Sequence, residues 1–111
     1  MAAVANLRID QGASFSSDVT VTNSDGNAVD LAGYTTEAKL AKSYGASSTI
    51  SFTTQIAADT ATGVITLSLN DTQTGALDAP ARYVYDVYIT QTSSSTVTRV
   101  IEGVITVNPK V

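Results

Sequence analysis

Two acids, Asp86 and Glu102, and one oxygen-rich loop over residues 23–30 hold the side chains of this sequence whose types could carry chemistry. A carboxylic acid facing a carboxylate can pass a proton to a substrate and take one back. Period-two alternation puts Asp86 in mid-strand, on the face opposite Tyr83 and Tyr85, and Glu102 falls on the following strand. The sequence supplies no concave site around them, so they read as solvent-facing acids on an outer sheet surface. In the loop Asn23-Ser24-Asp25-Gly26-Asn27-Ala28-Val29-Asp30, oxygen side chains surround a glycine, loosely as in a calcium loop. Such a loop needs more carboxylates and a bidentate Glu at its end, so a linking turn with Asx bonds is the plainer reading. Tyr34 and Tyr44 could stack on a sugar, although filling core or anchoring a loop is the commoner use of a tyrosine.

The chain has no His and no Cys. That removes the usual general base at neutral pH, the triads built on it, most zinc sites and any disulfide framework. The glycines never gather into a phosphate-cradling loop. The expectation is therefore a non-enzyme with no cofactor and no metal. Ten acids stand against six scattered bases, for a net charge of −4, which disfavours nucleic acid as a partner because phosphate binding needs clustered Lys and Arg. The start of the chain lacks the basic end and long apolar run of a signal peptide, and no 18-residue apolar stretch follows. No membrane partner is expected.

The elements that position these residues are strands. The 111 residues suit one domain, 1–111, and Ser and Thr are abundant where long charged residues are few. The clearest segment is 83–89: Tyr83, Tyr85, Val87 and Ile89 form a core face, while Val84, Asp86 and Tyr88 face outward. Pro80 ends a turn before it. A Tyr just after a tight corner, with Leu77 and Asp78 upstream, suits a tyrosine corner whose hydroxyl bonds upstream backbone. Further strands are expected at 6–10, at 15–22 with Phe15, Val19 and Val21 inward, at 35–42, at 49–56, at 64–69 and at 97–107. Residues 36–42 also carry helix formers, but seven uncapped residues favour a strand. Asp71 would cap one helical turn over 72–77. Turn signals every ten or so residues between about seven strands indicate an all-β fold, a single immunoglobulin-like antiparallel β-sandwich.

Across the short loop 92–96, pairing Ile89 with Arg99 sets Tyr85 opposite Gly103, a large ring over a residue without a side chain. Arg99 is then on the inner face, where it either snorkels at the rim or is turned outward by a bulge. If the last two strands are neighbours, Val84, Tyr88, Val100 and Val104 share an outer face. Four apolar residues there would make a patch of the kind that marks a subunit contact.

A series of short motifs carries a resemblance. Gln11-Gly12 precedes Phe15, and Asp25-Gly26 is followed by Asp30-Leu31-Ala32-Gly33-Tyr34. Next come Gly63-Val64-Ile65-Thr66-Leu67-Ser68-Leu69 and Arg82-Tyr83-Val84-Tyr85-Asp86-Val87, and Arg99-Val100-Ile101-Glu102-Gly103 closes the series with Val104-Ile105-Thr106-Val107. In this order they resemble the small β-sandwich modules of tailed-bacteriophage virion proteins, including the N-terminal module of baseplate upper proteins. The resemblance implies a non-enzymatic structural role in the virion, after synthesis in the host bacterial cytoplasm. A decoration or attachment subunit on capsid, neck, tail or baseplate would bind other virion proteins in a symmetric assembly, and the apolar stretch 1–5 could extend along a neighbour. The other expectation is a carbohydrate-binding or host-surface adhesion module presenting Tyr34, Tyr44 or the loops.

Overall fold

A computed structural model describes residues 3–23, 25–47, 49–79 and 81–109, apart from the side chain of Ala3. The turn expected at Pro80 lies outside the described residues, as do Met1, Ala2, Ser24 and Ser48 within the other expected segments. The strands are β1 (Ala3–Val4), β2 (Leu7–Asp10), β3 (Phe15–Thr20), β4 (Tyr34–Ala41), β5 (Ile50–Ser51), β6 (Thr53–Ile56), β7 (Val64–Leu69), β8 (Ala81–Gln91) and β9 (Thr96–Asn108). A short helix, α1 (Asp71–Gly75), precedes β8. The described strands form a six-stranded sheet, ordered β1-β9-β8-β4-β5 with β2 also on β9, and a three-stranded sheet, β3-β7-β6. The protein is all-β, and among the described residues no helix is long and apolar enough to cross a membrane.

Alternation builds these strands as the sequence suggests. Tyr83, Tyr85, Val87 and Ile89 are all buried, and they join Ile9, Leu40, Ile101 and Ile105 of the same sheet with Val19, Ile65, Leu67 and Leu69 of the other in one core. Removing such a side chain from water stabilises the fold by roughly 1.5–3 kcal/mol. Phe52 lies 6.1 Å from Phe15 and 6.1 Å from Tyr85, edge-on to the latter. The tyrosine corner is present: the Asp78 backbone N–H donates to the Tyr83 hydroxyl at 2.9 Å.

Several expectations change. The stretch 49–56 keeps its alternation but is two strands, because β5 pairs with β4 while β6 pairs with β7 in the other sheet. Between them the Phe52 N–H donates to the Ala38 carbonyl, and the chain crosses from one sheet to the other there. The pairing is not wholly antiparallel, since β1 and β2 run parallel to β9. So Ala3 and Val4 of the N-terminal stretch pair with this chain's own β9.

The helix is capped by Asn70, one residue before the Asp71 expected, and is completed by Gln73 in a capping box. Its Thr74, fully buried, donates to the Ala13 carbonyl at 2.9 Å and accepts from the Gly12 N–H at 3.1 Å. Those bonds fix the turn after β2 against α1.

Candidate outer-face site

The face of the six-stranded sheet turned away from the core is set by the register of β4, β8 and β9. Glu37, Tyr88 and Arg99 stand side by side across the three strands. The next row is Lys39, Asp86 and Glu102, and the next is Ala41, Val84 and Val104. Beyond Tyr88, Thr90 stands opposite Val97, and on the other side of β9 Val4 stands beside Glu102. Paired residues share a face because side chains alternate along every strand.

One irregularity makes this arrangement possible. Val87 pairs with Ile101 but Tyr88 pairs with Arg99, so Val100 is an extra residue in a β-bulge. On a regular strand, residues 99 and 102 would point to opposite faces. The bulge puts both on the outer face and leaves Val100 packed against the core. Of the two expectations for Arg99, the structure has the outward turn. The pairing of Tyr85 with Gly103 stands, whereas Ile89 pairs with Thr98 and not Arg99. Val84, Tyr88 and Val104 share the expected face, and Val100 does not.

Arg99 is the centre of a polar node. Its Nη2 lies 2.9 Å from Glu102 Oε2 and its Nε 3.6 Å from Asp86 Oδ2, and its guanidinium carbon sits 5.0 Å from the centre of the Tyr44 ring. The Tyr44 hydroxyl donates to the Tyr85 carbonyl at 3.4 Å, which lays the loop after β4 back over the sheet. Lys39 reaches Glu37 at 3.0 Å. The two acids sit on the outer sheet surface as alternation suggests, partly covered by their neighbours, with the side chains of Asp86 and Glu102 24% and 33% exposed. Burial pushes the Asp86 carboxyl above its usual pKa. Arg99 and Lys39 pull it back, while Glu102 and Glu37 add to the rise.

A cleft of about 350 Å³ opens over this node, lined by Glu37, Lys39, Tyr44, Val84, Asp86 and Tyr88 among others. Comparison with protein-family models finds none that matches the chain, and comparison with curated proteins finds no match either. Among the described residues no group of three or more His, Cys, Asp or Glu could hold a metal ion. In the loop once compared with a calcium site, Asn23 Oδ1 instead accepts the N–H groups of Asp25 and Asn27 at 3.0 and 3.1 Å, an Asx arrangement. Tyr34 packs half-buried against the core, so Tyr44 is the exposed aromatic of the pair.

Sequence reasoning missed Arg99, Glu37 and Lys39 as parts of one site. Arg99 could not be placed without the bulge, which no residue type marks. The two β4 residues followed from alternation once β4 was known to lie beside β8.

Proposed function

We propose that this chain is a non-enzymatic structural subunit of a tailed-bacteriophage particle. In this reading it is a small decoration or attachment subunit, held to another virion protein of capsid, neck, tail or baseplate through the outer face of the six-stranded sheet. One observation carries the docking face. The large apolar side chains most exposed among the described residues are Val4 at 70%, Val97 at 58% and Tyr44 at 53%. All three lie on that face, beside Val84, Tyr88 and Val104. Single exposed apolar residues are ordinary, but several of them on one face, on both sides of its central charged rows, make that face the one best suited to contact. The resemblance of the strand motifs to virion modules supplies the kind of partner.

Mass spectrometry of purified particles of the encoding phage tests the reading. The chain is expected in stoichiometric copy number against the major capsid protein, with many copies for a shell decoration and few for neck, tail or baseplate. Its absence from purified particles would overturn the proposal.

A further inference from the structure

The cleft over Asp86 has a polar imbalance that the protein's own groups leave open. Three acids, Glu37, Asp86 and Glu102, meet two bases, Lys39 and Arg99, so one negative charge is left over. The bases are committed elsewhere: Lys39 to Glu37 at 3.0 Å, and Arg99 Nη2 to Glu102 at 2.9 Å. Asp86 is left with a 3.6 Å approach to Arg99 Nε, too long for a hydrogen bond. That Nε is itself buried without a hydrogen-bond partner among the described residues. The Asp86 carboxylate, 24% exposed, keeps lone pairs that this ion pair does not use, and a charged guest donor can bond to them.

The walls of the cleft narrow the choice of guest. Tyr44 and Tyr88 line it, and Tyr44 is held in place by Arg99 on its ring and by its own hydroxyl. Tyrosine rings beside a cluster of three acids and two bases suit a planar cation, whose charge the ring faces attract and whose N–H groups can reach Asp86 and Glu37. A neutral hydroxyl would supply a donor but leave the excess charge in place.

We propose that this cleft takes the guanidinium of an arginine presented by the partner protein, with Asp86 as its principal acceptor and Tyr44 and Tyr88 as its walls. This rests on the outer face being the docking surface, and it names the anchor that surface receives. Charge complementarity selects the occupant, and an arginine in a desolvated pocket is a common centre of binding energy.

The test uses the full chain and a capped tripeptide with arginine at its centre, against the same peptide carrying neutral citrulline. Backbone amide shifts are followed by NMR. The arginine peptide should give saturable shifts confined to the neighbourhoods of Glu37, Tyr44, Asp86 and Tyr88. The citrulline peptide should bind at least about tenfold more weakly, the loss expected for one charge-assisted contact. Asp86→Asn should show the same loss at an unchanged fold, and Glu37→Gln, more exposed, stands in should Asp86→Asn fail to fold. Equal binding of the two peptides would overturn the proposal. So would the absence of saturable shifts at about 20 mM, above the millimolar constant expected of a single anchor. A methyl glycoside that shifts the same residues in place of the arginine peptide would assign the cleft to sugar.

The two proposals fail separately. Particles that accept the Val84→Lys, Val104→Lys double variant would remove the docking face and leave peptide binding by the wild-type chain standing. Blocked incorporation without arginine binding would remove the anchor alone.

Discussion

Replacing Gly103 by alanine tests how the N-terminal strands are held. Gly103 lies opposite Tyr85 in the β8–β9 ladder, and the segment between β1 and β2 passes over it. A Cβ at this position would collide with the carbonyl oxygen of Ala5 and would stand 2.8 Å from the Ala5 carbonyl carbon and 2.9 Å from Tyr85 Cε1. Neither neighbour yields easily. The Tyr85 hydroxyl donates to that same Ala5 carbonyl, and the Ala5 N–H donates to the Glu102 carbonyl at 2.9 Å. Overpacking of this kind costs roughly 1–3 kcal/mol, and losing the tyrosine bond adds about 1 kcal/mol. An alanine's lower chain entropy returns at most about 1 kcal/mol. Gly103→Ala should therefore lose about 2–3 kcal/mol in urea unfolding, with the Ala5 amide losing its protection from hydrogen exchange. In a chain lacking residues 1–5 the same substitution should cost distinctly less. A loss under about 0.5 kcal/mol with the Ala5 amide still protected would refute the packing argument, since errors of that size fall within the usual scatter of surface substitutions.

Three further outcomes follow from the same contacts. Burial, with a smaller contribution from Tyr44, pushes the Tyr85 phenol up to about 12. The folded state therefore keeps a proton that the unfolded chain gives up near pH 10, and stability falls by about 2 kcal/mol as pH rises from 10 to 12; in Tyr85→Phe that alkaline decline should be absent from urea midpoints. Tyr83→Phe leaves the Asp78 N–H without its 2.9 Å acceptor and should cost about 1 kcal/mol by thermal unfolding, at any pH below the tyrosine range. For Asp86 the folded pKa is raised, so the folded state binds its proton more readily than the unfolded chain. The stability of the wild type relative to Asp86→Asn should then decline as pH rises from about 4 through the folded value, the opposite of an ordinary salt-bridged aspartate.

Much of the fold was legible because alternation survives wherever one face is buried. Tyr83, Tyr85, Val87 and Ile89 declare the inner face of β8 without help from tertiary structure, and the corner between Leu77 and Tyr83 follows from the same few residues. Alternation does not say which sheet a strand joins. Residues 49–56 keep one period throughout and still cross from one sheet to the other at Phe52, because the hydrogen-bonding partner changes while the buried side does not. The parallel pairing of Ala3 and Val4 with β9 was hidden for a different reason: two residues carry no period. At the outer face, the inward Arg99 was a contradiction that a bulge resolves, and the sequence held both halves of the answer without the position of the extra residue. Val100 took that place, so it left the face and Arg99 entered it.

The docking face is tested most directly by competition for particle assembly. Wild-type chain and the Val84→Lys, Val104→Lys double variant would be supplied together in equal amounts during phage growth, and their ratio in purified particles would be read by mass spectrometry. Both side chains are on the outer face, away from the core, so the variant should fold with a near-native melting temperature. The predicted result is strong depletion of the variant from particles. An equal ratio, with the variant folded, would contradict the outer face as the surface through which this chain is held.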